Sequence, residues 1–190
     1  MTQKFEVARF KRLMSADRRR RLPPERILSE IGLGPGQTFV DIGAGPGYFT
    51  IPAAKIIGPK GRAFGLDISP VMVRELTKNA RRAGAVNVRA MRAAETAKTL
   101  PRGADFYFMA NVFHEVEDRS AYLRRIRTSM SAHSRFVIID YLKKKMKHGP
   151  PLAERVSFRS IRPILVNAGF VIERVFRPDD EEYGIIARRK

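Results

Sequence analysis

Short apolar segments alternate along this chain with segments of helical periodicity. Runs typical of buried strands are centred on residues 40–42, 64–67, 106–110 and 136–140, and helical patterns follow the first three of them. Strands that alternate with helices predict βαβ units and therefore a parallel sheet. Nearly every position of these runs is apolar, so helices are expected to cover both faces of the sheet. The alternation therefore predicts an α/β fold.

The carboxyl-terminal part of the chain breaks this alternation. FVIERVF at 170–176 and YGIIARR at 183–189 are separated by the acidic turn PDDEE and by no helical pattern. Two strands joined by a short turn pair antiparallel, whereas parallel neighbours need a long crossover. We therefore expect a mostly parallel sheet that ends in an antiparallel hairpin.

Basic residues dominate the charge. The 190 residues include 37 lysines and arginines against 19 acidic residues, which gives a net charge of +18. Such a field attracts polyanions such as RNA, although a solvated basic surface explains the composition equally well. Two basic segments stand out, residues 1–22 and the loop KKKMKHGPP at 143–151. We predict a basic amino-terminal arm, 1–22, followed by a single domain, 23–190.

Residue types that are missing exclude several kinds of chemistry. The chain has no cysteine, which excludes disulfides, thiolate metal sites and cysteine nucleophiles. Its three histidines, His114, His133 and His148, are too dispersed to indicate a zinc site, so no metal is expected. The sequence has neither an apolar run of about 18 residues nor a secretory leader, so we expect no membrane span and a cytoplasmic location.

A glycine-rich loop follows the first apolar run. In VDIGAGPGYFT, Asp41 ends the run and glycines stand at 43, 45 and 47. A dinucleotide fingerprint would need its third glycine at position 48, which is Tyr48, so a nicotinamide cofactor is disfavoured. Glycines allow a ligand to approach the backbone, and the start of the next helix favours a carboxylate. Asp41 is placed to face an ammonium group, so an amino-acid moiety suits this loop.

A second carboxylate ends the next apolar run. Asp67 offers about four acceptor sites when ionised, enough for both hydroxyls of a ribose, and Ile68 beside it can cover an adenine. The alternative is that Asp67 only caps the turn before the following helix. Together the two loops favour an amino acid joined to an adenosine without a pyrophosphate, which describes S-adenosylmethionine.

Three segments, VDIGAGPGYFT, GLDIS and ADFYFMANVFHEV, resemble the class I S-adenosylmethionine-dependent methyltransferases. The likeness is nearer to the small branch related to the ubiquinone and menaquinone biosynthesis methylases. It implies a Rossmann-like three-layer sandwich with a seven-stranded sheet in the order 3-2-1-4-5-7-6, strand 7 antiparallel. The resemblance carries cofactor contacts onto Asp41, Gly43, Ala44, Gly45, Gly47, Tyr48, Phe49, Asp67, Ile68 and Asn111, and the adenine contact onto Ala94 or Glu95.

The segment NVFHEV, which follows the apolar run at 106–110, holds the candidate catalytic residues, Asn111 and His114. His114 is placed to act as a base or to orient the acceptor, and the alternative is that it only packs against the cofactor or caps the loop. Asp140 and Tyr141 end the run at 136–140 and are placed to line the acceptor pocket, and the favoured alternative for Tyr141 is structural packing.

The methyl acceptor is narrowed by exclusion. NVFH replaces the N/D-P-P-Y/F run typical of adenine amino methylation, and without cysteine neither cytosine C5 nor arsenic can be methylated by the usual routes. A small-molecule acceptor is the first hypothesis. RNA or ribosome-associated methylation, protein methylation and a noncatalytic S-adenosylmethionine-binding module remain alternatives.

Overall fold

A computed structural model describes residues 13–94, 97, 100–146 and 149–190. Glu95, the first twelve residues of the basic arm, and Lys147 and His148 of the basic loop lie outside the described residues. The chain divides into two compact units, one ending at Arg92 and the other beginning at Ala93. The boundary between a basic arm and a domain at residue 22 stays a prediction.

The first unit consists of three parallel strands and the helices between and before them. β1 pairs with β2, and Asp41 lies beside Gly65 in this pair. β2 also pairs with β3, and Asp67 lies beside Arg92 in that pair. The elements in chain order are α1 Ala16–Arg21, α2 Pro24–Glu30, β1 Thr38–Ile42, α3 Thr50–Ile57, β2 Arg62–Asp67, α4 Pro70–Arg82 and β3 Val88–Arg92.

Helix α4 shows why the local sequence forms these elements. The Ser69 hydroxyl accepts a hydrogen bond from the backbone N–H of Met72, and Pro70 occupies the first turn, where its missing N–H does no harm. Met72, Leu76 and Ala80 are buried at every fourth position, as an amphipathic helix requires. Gly84 follows with a φ of +65°, a conformation suited to a helix end. The predicted helix start and end are confirmed.

The second unit holds the remaining four strands. β4 pairs in parallel with β5, and β7 pairs antiparallel with both β5 and β6. The elements are β4 Phe106–Ala110, a short 3-10 turn Phe113–Glu115, α5 Arg119–Ser129, β5 Arg135–Tyr141, α6 Phe158–Asn167, β6 Phe170–Phe176 and β7 Glu182–Arg189.

The seven strands follow the order β3-β2-β1-β4-β5-β7-β6. This order confirms the predicted sheet, including the antiparallel carboxyl-terminal hairpin. All five residues of β4 are buried, and Phe136 to Ile139 of β5 are fully buried, as expected for strands covered on both faces. Within the described part of the chain, none of the helices has the length and apolar character needed to cross a membrane.

Candidate functional site

The glycine loop after β1 has a backbone that other residues adopt only under strain. Gly45 has a φ of +54° and Gly47 a φ of +97°, both in the left-handed region that favours glycine. A Cβ on Gly47 would lie 2.5 Å from the Leu76 side chain of α4. The close packing of α4 therefore requires residue 47 to be glycine. Residue 45 is glycine because its backbone is left-handed, so no side chain covers the backbone at that position.

Hydrogen bonds join this loop to the end of β2. The Gly43 and Ala44 N–H groups donate to the Leu66 carbonyl at 2.8 and 2.9 Å. The Gly45 N–H donates to Asp67 Oδ2 at 2.8 Å, and Asp67 Oδ1 accepts from the Ser69 N–H at 2.9 Å. Asp67 thus holds both the glycine loop and the turn before α4. The capping role predicted from the sequence as the alternative for Asp67 is therefore observed.

Ile68, next to Asp67, is 51% exposed although it is a large apolar side chain. An exposed isoleucine beside a carboxylate that also contacts the glycine loop provides an apolar surface and an acceptor at one place. These features fit an adenosine, since its base offers a flat apolar face and its sugar two hydroxyl donors.

Asp41 is buried near this loop. It is 2% exposed, and its Oδ2 accepts a hydrogen bond from the Thr50 hydroxyl at 2.6 Å. Burial raises the pKa of Asp41 to about 7, against the lowering effect of the Thr50 hydrogen bond, while the charge of Asp67 raises it further and that of Arg18 lowers it. A cation that binds beside this buried carboxyl would therefore stabilise its ionised form.

The side chains of Tyr48 and Phe49 face the protein interior. The Tyr48 hydroxyl donates to the Leu22 carbonyl at 2.7 Å, and the two rings meet edge to face at 5.1 Å. Both residues are buried. Their predicted cofactor contacts stay predictions.

The predicted adenine contact lies after β3. The Ala94 carbonyl accepts a hydrogen bond from the Ala97 N–H at 3.1 Å. Ala97 has a φ of +56°, in the left-handed region of the backbone. Glu95 lies outside the described residues, and the contact stays a prediction.

In the second unit, Asn111 follows β4 in a strained conformation. Its φ is +59°, which asparagine tolerates better than most residues. Its Nδ2 donates to Glu182 Oε1 of β7 at 3.4 Å, and within the described residues its buried Oδ1 has no hydrogen-bond partner. The predicted cofactor and catalytic roles of Asn111 stay predictions, which its unsatisfied acceptor and strained backbone favour.

His114 and Asp140 form a hydrogen-bonded pair. His114 Nδ1 lies 2.8 Å from Asp140 Oδ1, and the His114 backbone N–H donates to Asp140 Oδ2 at 2.9 Å. Asp140 is fully buried and also accepts from the Tyr141 N–H at 2.8 Å. Three N–H donors therefore hold this carboxylate, which in turn fixes the orientation of the imidazole.

The environment of His114 favours its protonated form. Burial lowers the pKa of His114, but the hydrogen bond and charge of Asp140, with the charges of Glu115 and Glu154, outweigh burial, so its pKa is raised above the usual 6.5. The His114 Nε2 lies 3.9 Å from Glu115 Oε1. The pair can therefore accept a proton at Nε2 and stabilise the resulting charge.

A cavity of about 510 Å³ lies in the loop after β5. The buried Arg155 holds this loop by donating to the Pro150 carbonyl at 2.8 Å and to the Lys144 carbonyl at 2.5 Å. The Arg155 guanidinium lies 6.0 Å from the Tyr141 ring, whose edge meets His114 at 5.8 Å. The lining residues are Lys144, Lys145, Met146, Gly149, Pro150, Pro151, Leu152 and Arg155.

A family described as "Methyltransferase domain" matches residues 33–168, which include both the glycine loop and the His114–Asp140 pair. The chain belongs to this methyltransferase domain family. The match confirms, at the level of the family, the predicted fold, enzyme class and S-adenosylmethionine cofactor.

One solved relative of this methyltransferase covers nearly the whole chain. It is a SAM-dependent methyltransferase from Aquifex aeolicus, 29% identical, with a TM-score of 0.91, and the match covers 96% of this chain and 98% of that one. Its similarity extends over the strands and loops of both units, so the arrangement of elements is that of an existing methyltransferase.

Curated relatives match over shorter segments. The ribosomal protein L11 methyltransferase of Thermus thermophilus is 30% identical over 132 residues, 70% of this chain and 48% of that protein. The nocamycin O-methyltransferase of Saccharothrix syringae is 38% identical over 93 residues, 48% of this chain and 30% of that protein. The chain spans less than half the length of each curated relative it matches here.

Sequence reasoning missed three partners of the methyltransferase site residues. Thr50 bonds Asp41, Glu182 bonds Asn111, and Asp140 orients His114 rather than only lining a pocket. Thr50 is the first residue of α3 and lies nine residues after Asp41. A hydroxyl residue at so short a distance in the sequence could have been predicted as a partner of Asp41. The other two lie far apart in sequence from their partners and meet only through strand pairing, which the sequence does not display.

Proposed function

We propose that this protein transfers the methyl group of S-adenosylmethionine to a hydroxyl or amine of a small-molecule acceptor, with His114 as the base. The observation that carries the proposal is the His114–Asp140 pair, with Nδ1 and Oδ1 2.8 Å apart, in a chain of this family. Methyl transfer without proton removal has no need of a buried, carboxylate-oriented imidazole.

The first unit is proposed to hold the cofactor. Asp67 accepts from the ribose hydroxyls, Ile68 covers the adenine, and Asp41 takes the ammonium group. The bare backbone at Gly45 and the chemistry of these side chains fit such a molecule. When bound, S-adenosylmethionine supplies an electrophilic methyl group on a sulfonium.

The second unit is proposed to activate the acceptor. An ionised carboxylate only accepts hydrogen bonds, so Asp140 holds the proton of the imidazole on Nδ1 and leaves the lone pair on Nε2, the nitrogen that lies 3.9 Å from Glu115 Oε1. His114 would take the acceptor proton at Nε2 while the acceptor oxygen or nitrogen bonds to the methyl carbon and the carbon–sulfur bond breaks, so that the cofactor leaves as the neutral thioether S-adenosylhomocysteine. Asp140 stabilises the imidazolium that forms. Asn111, through its unsatisfied Oδ1, is proposed to orient a donor group of the acceptor or cofactor.

A small acceptor is supported by the second unit itself. The open surface pocket of about 510 Å³ in the loop after β5 offers room for a small molecule. The nocamycin O-methyltransferase, by its name, acts on a small molecule. Membership of the branch related to the ubiquinone and menaquinone methylases is part of this proposal and agrees with a small acceptor.

RNA or ribosome-associated methylation is the second candidate. The net charge of +18 favours it, as does the similarity to an enzyme named for a ribosomal protein. RNA affinity that falls steeply with rising salt, together with activity on RNA, would select this alternative. Activity on a neutral small acceptor, with only weak RNA binding, would reject it.

The test is a labelled-methyl assay on cell extract separated into RNA, protein, lipid and small-molecule fractions. In the fraction that accepts label, His114→Gln is expected to lower kcat by about 10²–10⁴-fold, as loss of a general base does. It should also remove the fall of activity at acid pH and leave cofactor affinity unchanged. The exposed His133 provides the matched control, His133→Gln.

Two outcomes contradict the proposal. Full turnover by the His114→Gln variant, with an unchanged pH profile, would show that His114 is not the base. Binding of the cofactor without label transfer to any fraction would instead indicate a noncatalytic binding module.

A further inference from the structure

The segment Leu13–Leu22 lies against the glycine loop. The Leu13 side chain comes within 3.7 Å of the position that a Cβ on Gly45 would occupy. The Arg18 guanidinium lies over the Tyr48 ring at 4.3 Å from its centroid, and the Leu22 carbonyl accepts from the Tyr48 hydroxyl. Leu13, Arg18 and Leu22 of the basic arm therefore contact the loop, while the arm's other described residues are exposed or half-buried.

Arg18 is held in a defined position. Its backbone N–H donates to the Ser15 hydroxyl at 3.2 Å, which caps α1, and its Nη1 donates to the Leu13 carbonyl at 3.1 Å. Its charge acts on the Asp41 carboxyl, whose pKa it lowers against the larger effect of burial. The positive charge of Arg18 therefore favours the ionised form of Asp41.

The three arginines that follow make different contacts. Arg19 pairs with Glu25, and Arg20 and Arg21 pair with Asp17 at 3.2 and 3.1 Å. These pairs are at least partly exposed and contribute little. Position in the fold, and not charge alone, therefore distinguishes Arg18 from its neighbours.

We infer that Arg18 binds the carboxylate of the amino-acid part of the methyl donor. The inference rests on the proposed function, which assigns the ammonium group of the same moiety to Asp41. A guanidinium offers five donors in a planar fork that matches a carboxylate, and stacking on Tyr48 fixes its plane. The two charges of the amino acid would then each meet a fixed opposite charge, Arg18 and Asp41.

The experiment compares two ligands by calorimetry. S-adenosylhomocysteine contains the amino-acid moiety, whereas 5′-methylthioadenosine has the same nucleoside and thioether without it. Arg18→Gln is expected to weaken binding of S-adenosylhomocysteine roughly 10- to 100-fold and to leave the affinity for methylthioadenosine unchanged, because only S-adenosylhomocysteine loses a hydrogen bond to a charged group. Arg20→Gln, one of the exposed pairs, is the matched control and should change neither affinity.

Other results would overturn the inference. Equal weakening of both ligands would show that Arg18 supports the loop and not the carboxylate, and unchanged affinity for both would remove Arg18 from the site. Arg18→Lys, which keeps the charge but not the fork, should retain part of the preference for S-adenosylhomocysteine. If the unmodified protein binds neither ligand, the proposed function itself fails, a result distinct from the loss of the preference alone.

Discussion

Replacing Asp41 by asparagine is expected to stabilise the folded protein at neutral and alkaline pH while weakening binding of the methyl donor. Asp41 is 2% exposed, and burial raises its pKa from 3.8 to about 7. Above pH 7 the folded state therefore holds an ionised carboxylate in an environment that disfavours the charge. Asparagine keeps an oxygen that can accept from Thr50 and carries no charge.

The magnitude follows from the raised pKa. A change from 3.8 to about 7 corresponds to a destabilisation of about 4 kcal/mol at pH above 7. The amide group that asparagine adds costs about 1–3 kcal/mol if it is left without an acceptor. The net gain in the free energy of unfolding at pH 8 is therefore expected to be about 1–3 kcal/mol.

The sign is set by the proton that folding retains. Between about pH 4 and 7 the folded state keeps a proton on Asp41 that the unfolded state has released, so the stability due to this group falls as pH rises, by about 1.4 kcal/mol per pH unit. Below about pH 4 both states are protonated, and this stability is fully present. Asp41→Asn removes the dependence, so the difference between variant and unmodified protein must grow between pH 5 and 7 and then level off.

Urea unfolding at pH 5, 6, 7 and 8 measures this difference. Asp180→Asn, at an exposed acidic position, is the matched control and should show no such trend. A difference that stays constant across these pH values would refute the raised pKa of Asp41. Calorimetry on the same variant should show weaker binding of S-adenosylhomocysteine, because the partner of its ammonium group has lost its charge.

Two further substitutions test the cofactor loops. Asp67→Ala is expected to weaken binding of S-adenosylhomocysteine by about 1–3 kcal/mol, from lost hydrogen bonds to a charged group, and unchanged affinity in calorimetry would remove Asp67 from the site. Gly45→Val is expected to abolish binding, because a β-branched residue at a φ of +54° distorts the loop; a variant that still binds would place the ligand elsewhere. Gly34→Ala, at a glycine with only a distant neighbour at 3.9 Å, serves as its control.

The fold and the cofactor loops were accessible from sequence because their signals are local. Ser69 and Pro70 predict the start of α4 through contacts within one turn, and glycine at 45 and 47 permits the left-handed backbone that both positions adopt. The strand order came from resemblance to a family, since apolar runs alone do not say which strands are neighbours.

The sequence by itself determined that glycine-rich loops and single carboxylates end the strands, because backbone conformation and hydrophobic periodicity depend on neighbouring residues. Only the tertiary structure decided which partners those residues have. Asp140, near the end of β5, reaches His114 in the 3-10 turn after β4, 26 positions away in the sequence. Arg18 is one of four consecutive arginines in the sequence, and only packing places it on Tyr48. Burial of Asp41, and with it the raised pKa, likewise arises from contacts that exist only once the chain is folded.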